Sequence, residues 1–245
     1  MATRTRRTRR RRLSAEEGRQ ALLDAGREYV LEHPLGEPLD HVRVTDIVAR
    51  VGLSIGAVYH YWESQDDYRD DLLDLLLSPD QFPAVQAAGE AAAEAVEEGI
   101  AAADLVRLLA GISFRGLAES PERERLSLAL LAYGDAEIDQ RLAAQAREVS
   151  RRWADLLTSL LPRYGLEPRP PFTTESLATA LMALVEGMHL RWTIDPDAVG
   201  EVEPGWDLFA TSTCALVLSA TRPVGDERGL LDVAQEVAAA LAPDG

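Results

Sequence analysis

The chain has no lysine. All 25 of its basic side chains are arginine, so every fixed cation it offers is a guanidinium. Together with abundant alanine, this usage matches a GC-rich coding bias. There is one cysteine, Cys214, which excludes an internal disulfide and suits a reducing cytosol. Long apolar runs are missing. The strongest, "LATALMALV" at 177–185, is too short to span a bilayer. The basic N-terminus is followed by the polar stretch "LSAEEGRQ", which argues against a secretory signal peptide. No strand alternation, internal repeat or heptad run is present. The expectation is a cytoplasmic, nucleoid-associated protein with no membrane partner. Its 245 residues suffice for one large or two small domains with a real core.

What is present is an uneven distribution of charge. The net charge is −16, which by itself argues against a polyanionic partner. Yet residues 1–12 carry seven arginines and no acid: Arg4, Arg6, Arg7, Arg9, Arg10, Arg11 and Arg12. Residues 13–77 carry five arginines against fourteen acids, and residues 78–245 thirteen against twenty-seven. A basic arm precedes an acidic body. An isolated arm of this composition is a solvated, disordered tail, and it fits phosphates or the DNA minor groove once a neighbouring domain docks.

Helical punctuation runs the length of the chain. Ser14 and Glu17 form a capping box, and Ala21, Leu22, Ala25 and Tyr29 follow at helical spacing, so a first helix extends to about Glu32. Tyr29 reads as core. "HPLGEPLDH" interrupts. Its His33 and His41 lack further metal ligands at sensible spacing, and no metal site is expected. Val44, Ile47, Val48 and Val51 then define one face of a two-turn helix ended by Gly52, and Ser54 is placed to cap a second short helix to about Tyr61. Ser64 and Asp67 form another capping box, opening a helix to about Leu77. Longer helical stretches follow at about 84–98, 101–119, 122–133, 135–162, 174–194, 206–221 and 227–241. The expected organisation is a basic arm (1–13), a small helical domain (14–77) and a larger all-helical domain (78–245).

"GLSIG" at 52–56 fits the G-x-S-x-G elbow of serine hydrolases, but that elbow needs a buried strand before the serine. Here "VTDIVARV" is helical by period, and the only late histidine, His189, lies within a helical stretch. Two short helices joined by a glycine-containing turn are instead a helix-turn-helix. Its second helix, about 10 Å long, suits a major groove about 12 Å wide. Ser54, Ile55, Gly56 and Ala57 then approach base edges, Val58 faces the core, and Tyr59, His60 and Tyr61 offer polar tips on aromatic bodies.

The stretch "VTDIVARVGLSIGAVYHYWESQDDYRDDLL", preceded by a capped helix and followed by a long helical domain, resembles the TetR family of bacterial transcriptional regulators. Ile47, Val48-Ala49, Gly52-Leu53-Ser54, Gly56, Tyr59 and Trp62 carry the resemblance over about residues 14–77. "ALVEGMHLRWTIDPDAV" at 183–199 resembles a late helix of the family's regulatory domain. Three departures stand out. Gln65 replaces the lysine that usually opens the fourth helix, Ile55 replaces a frequent polar residue, and the first interhelical connection is long.

The resemblance implies an all-α fold, with a three-helix DNA-binding domain followed by a ligand-binding and dimerisation domain. It implies operator DNA as a partner, contacted by the arm and by Thr45, Ser54–Ala57, Tyr59–Tyr61 and Gln65. It also implies a homodimer and an unidentified small-molecule effector, with no cofactor and no catalysis. Leu177, Leu181, Leu184, Met188 and Trp192 form one stripe of the helix at 174–194, and Ala180, Ala183 and Gly187 are small residues that permit close helix approach. Both sets are candidates for a four-helix dimer interface, with Glu186, His189 and Arg191 as interface or surface polar groups. Candidate effector contacts are Ser113, Phe114, Arg115, Tyr133, Trp153, Met182 and Met188, each of which core packing explains equally well. Cys214 reads as a small buried side chain. The competing reading is an all-helical enzyme or small-molecule-binding protein with an idle helix-turn-helix, and salt-dependent binding to DNA upstream of its own gene discriminates the two.

Overall fold

The computed structural model describes residues 14–33, 42–78, 80, 83–119 and 121–240. The arm and His41 lie outside these residues. The chain divides into two compact units, Met1–Ser78 with Arg125–Asp135, and Pro79–Glu124 with Ala136–Gly245.

In the first unit, α1 (Ala15–Glu32) starts at the capping box, with Ser14 Oγ accepting from Glu17 N at 3.1 Å and Glu17 Oε2 accepting from Ser14 N at 2.8 Å. It buries Leu22, Leu23, Ala25 and Val30. Tyr29 is half-buried rather than core, stacked on His33 with ring centroids 3.9 Å apart. Next come α2 (Val44–Val51), α3 (Ile55–Tyr61) and α4 (Gln65–Leu76). The second capping box opens α4, between Ser64 and Asp67. Tyr68 on α4 is fully buried, and its hydroxyl donates to Leu22 O at 2.9 Å. Burial pushes its phenol pKa up. Gly26 makes this possible, because a Cβ there would lie 2.2 Å from the Tyr68 oxygen. The later part of α7 (Pro121–Tyr133) belongs to this unit and buries Leu126 and Leu130. The division therefore departs from a single boundary at residue 77.

The second unit contains α5 (Ala84–Glu97), α6 (Ala102–Ala118), α8 (Ala136–Leu160), α9 (Thr174–Ile194), α10 (Leu208–Ala220) and α11 (Leu230–Ala240). Ala88, Ala92 and Ala95 form a buried stripe along α5, which has no bulky side chain to hold it away from α6 and α8. α6 also packs against α9 and α10, and α8 lies along α9. Two small ribbons were not expected. β1 (Leu166–Pro168) pairs with β4 (Thr221–Pro223), and β2 (Glu201–Glu203) with β3 (Trp206–Asp207). They are two or three residues long, too short to show alternation in sequence. The first is tied by Arg222 Nε to Glu167 Oε1 at 2.9 Å. Among the described residues no helix is long and apolar enough to cross a membrane.

Candidate nucleic-acid interface and effector cavity

The α2–α3 corner is built on its buried valines and isoleucine. Val44, Ile47 and Val48 of α2 and Val58 of α3 are buried, each contributing about 1.5–3 kcal/mol. Gly52 ends α2 at φ 67°, a left-handed conformation that glycine adopts without steric cost, with its N–H bonded to Val48 O. The turn thus leads the chain into α3 at a fixed angle.

With Val58 facing inward, the opposite face of α3 is open. Ile55 is 47% exposed and Tyr59 52%, one turn apart. Gly56 and His60 lie beside them, also exposed, and Ala57 is half-buried. Ser54 takes the N-cap position, but its side chain makes no capping hydrogen bond. Its exposed hydroxyl is therefore not committed to the helix. Thr45 is exposed at the start of α2. Two candidates are placed differently. Tyr61 is half-buried, with its hydroxyl where a Cβ on Gly18 would be, so it joins α3 to α1. Gln65 is half-buried, and its amide donates to Val42 O at 3.4 Å.

The C-terminal end of α3 is anchored by one carboxylate that sequence reading missed. Asp71 Oδ2 accepts from both Trp62 Nε1 and Arg19 Nη2, and the Arg19 guanidinium lies 5.3 Å from the Trp62 ring centre. Three elements are tied at one atom, so α3 is presented rigidly. Nothing in the sequence pairs residues 19, 62 and 71, and only packing brings them together.

In the second unit, a cavity of about 180 Å³ lies among α6, α8, α9 and α10. Of the expected effector contacts, Ser113, Trp153 and Met182 line it. Phe114 and Met188 do not. They pack behind the wall in an adjoining cluster, where Phe114 meets Phe209, His189 and Trp192 at 5.5–5.8 Å between ring centroids. Arg115 is exposed and absent from the cavity wall, because one residue of helix rotation turns it outward. The Tyr133 side chain lies outside the described ones. Sequence reading missed most of the aliphatic wall and Thr213, and Cys214 is half-buried on the wall rather than buried in a core. α10 reads "LFATSTCALVLSA", apolar on all sides, so no period marks its inner face.

The expected dimer stripe turns largely inward. Leu177 is fully buried, Leu184, Met188 and Trp192 pack on their own unit's core, and Leu181 lines the cavity. His189, expected at a surface or interface, is also fully buried. The reason is that α9 has two apolar faces, and its larger side chains fill the interior of their own unit. The small-residue row divides, with Ala180 half-buried and Ala183 and Gly187 exposed beside Leu190 and Ile194, which are 40% and 69% exposed. A Cβ on Gly187 would meet nothing within 4 Å. No group of three or more metal-ligating side chains occurs among the described residues.

The described residues thus combine a helix-turn-helix whose second helix has an open face with a helical unit that encloses a cavity. Residues 101–203 match the family described as BetI-type transcriptional repressor, C-terminal. The match spans under half of the chain, and it is this stretch that resembles the family. No curated protein matches it. Among solved structures, it is similar to a Rhodococcus sp. protein described as a TetR-family transcriptional regulator. The identity is 21% and the TM-score 0.52, covering 84% of this chain and 98% of that one. It is also similar to the fatty acid degradation regulator FadR of Bacillus halodurans (15% identity, TM-score 0.52, 86% and 97% covered). FadR of Bacillus subtilis, solved in complex with stearoyl-CoA, is comparable (16% identity, TM-score 0.52, 82% and 97% covered).

Proposed function

We propose that the protein is a homodimeric repressor that binds operator DNA through α3 and releases it when a small molecule fills the cavity of the second unit. It acts by binding and has no catalytic role. The observation that carries this reading is the uncommitted outer face of α3, Ser54, Ile55, Gly56, Tyr59 and His60, mounted on a buried corner. Such a face offers a hydroxyl, apolar surface and phenol to a major groove. The two α3 helices of a dimer must meet grooves about 34–36 Å apart, so a change of a few ångströms in their spacing releases DNA. The exposed α9 row of Ala183, Gly187, Leu190 and Ile194, with Leu218 on α10, supports self-association. The ligand-bound FadR structure, of similar fold, supports a small-molecule effector.

The test is fluorescence anisotropy with the DNA upstream of the protein's own gene, at several salt concentrations, alongside sedimentation. Salt-dependent, sequence-selective binding by a dimer is expected, and Gly187→Leu, which overpacks the small-residue row, is expected to weaken the dimer and the binding together. A monomer at micromolar concentration, or equal affinity for unrelated DNA, overturns the reading.

A further inference from the structure

The cavity among α6, α8, α9 and α10 has a wall of unusual uniformity. Among the described residues no charged side chain lines it. Leu109, Trp153, Leu157, Val185 and Phe209 are typical of its surface. Polar groups on the wall are few, and two already spend their protons. Ser113 Oγ donates to Leu109 O at 2.8 Å, and Tyr164 Oη to Ile100 O at 3.2 Å.

Thr213 is the exception. It lines the cavity, is 8% exposed, and its hydroxyl is buried with no hydrogen-bond partner. Helical threonines ordinarily return the hydroxyl to the carbonyl four residues back. Thr158, Thr179, Thr193 and Thr211 in the same unit do so, at 2.8–3.0 Å. Thr213 does not, and a buried hydroxyl left unpaired opposes folding. A group that weakens the empty protein is explained if the bound ligand completes it.

Given the effector-cavity reading above, on which this step rests, we propose that the effector is an uncharged, largely aliphatic molecule whose one buried polar group presents a carbonyl acceptor to the Thr213 hydroxyl. A neutral ester, ketone or lactone has that chemistry. A carboxylate or quaternary ammonium inside the cavity would lose its hydration and find no opposite charge on the wall, a cost far above that of a neutral carbonyl. The volume, about 180 Å³, holds roughly a dozen water-sized spheres, so about ten heavy atoms fit inside. Leu218, 67% exposed, stands at the rim and also on the outward side of α10. A ligand reaching the rim therefore touches a residue of the proposed self-association face, which gives the cavity a route to the dimer.

The test uses three probes of matched chain length, methyl octanoate, octanoate and octyltrimethylammonium, titrated calorimetrically into the full-length protein and into Thr213→Val. Methyl octanoate is expected to bind at least tenfold tighter than either charged probe. Thr213→Val is expected to weaken the ester about five- to tenfold while leaving the unliganded protein as heat-stable as before, or more so, because an unsatisfied hydroxyl is replaced by an isosteric methyl. A merely structural threonine would not separate these two readouts. Tighter binding of a charged probe, or equal ester affinity in the variant, overturns the proposal and leaves the effector cavity standing. Binding of none of the three overturns the cavity as an effector site, and the proposal with it.

Discussion

Replacing Gly26 by alanine is a sharp test of the packing that holds the helix-turn-helix corner. In a helix interior the change ordinarily stabilises by about 1 kcal/mol. At Gly26 the new methyl carbon would lie 2.2 Å from the Tyr68 oxygen and 3.1 Å from both Leu72 methyls. Whether α4 moves away from α1 or the Tyr68 ring turns, the displacement breaks its 2.9 Å bond to Leu22 O. Overpacking costs about 1–3 kcal/mol, and an orphaned buried hydroxyl about as much again. Set against the helix gain, the net loss is about 3 kcal/mol, roughly a hundredfold in an equilibrium constant. Amide hydrogen exchange of α1 and α4 reads it locally, without requiring the two units to unfold together. In a Tyr68→Phe background the clashing oxygen is gone, so Gly26→Ala should there cost less than about 1 kcal/mol, and the cycle reports the coupling. Gly89→Ala on α5, with no atom within 4 Å of its Cβ, should stabilise by up to about 1 kcal/mol. Equal losses for Gly26→Ala with and without the Tyr68 hydroxyl would refute the steric argument.

Tyr59→Ala should weaken operator binding by about 1–3 kcal/mol with an unchanged circular dichroism spectrum, and unaltered affinity would remove Tyr59 from the reading face. Glu148 is held down to about 2 by hydrogen bonds from Arg151 and Arg152, below its ordinary 4.5. A depressed carboxyl stabilises above its unfolded pKa and loses that contribution as pH falls. The melting-temperature difference between wild type and Glu148→Gln should therefore be small but present at neutral pH and shrink steadily from about pH 5 to pH 3. A difference constant across that range would show that the ion pairs are not its source. Deleting residues 2–12 should flatten the slope of log affinity for operator DNA against log salt by about 3 units per chain if half of the arm's arginines meet phosphates. Superimposable salt plots would make the arm a bystander.

Local signals were legible where one residue type has one local job. Ser14 with Glu17, Ser64 with Asp67, and Gly52 after a two-turn apolar face mark helix ends that the structure reproduces within a residue or two. Long-range pairings were not. Gly18 and Gly26 read as helix-weakening residues until Tyr61 and Tyr68 are seen against them. Asp71 reads as one more acid on α4 until Arg19 and Trp62 converge on it. α9 and α10 are apolar around most of their circumference, so periodicity could not say which face turns inward. Met188 and Leu177 were thus expected on an outer face, where the exposed positions are instead Ala183 and Gly187. The Thr213 hydroxyl was invisible for a different reason, since a missing hydrogen bond leaves no pattern in a sequence.

The charge of the first unit explains why the arm matters to the proposed binding. Its folded arginines are largely occupied. Arg19 is taken by Asp71, Arg50 by Glu32 at 2.8 Å, and Arg69 by Asp66 at 3.4 Å. Directly after α3, α4 exposes Asp66, Asp67, Asp70 and Asp74, and Gln65 brings no cation to its start. Arg43 is exposed at the beginning of α2. A duplex presents one negative charge per about 1.7 Å, so such a surface approaches it against net repulsion unless cations are supplied. The seven arginines within residues 1–12 are the densest supply in the chain. The division of labour follows from the physics of each part. Under the proposed function, phosphate neutralisation, which is insensitive to sequence, falls to the arm, and base preference falls to the short open face of α3. Removing the arm should therefore lower affinity for specific and unrelated DNA by a similar factor and leave their ratio nearly unchanged. A collapse of that ratio instead would mean that the arm reads sequence, through minor-groove width, and that α3 alone does not.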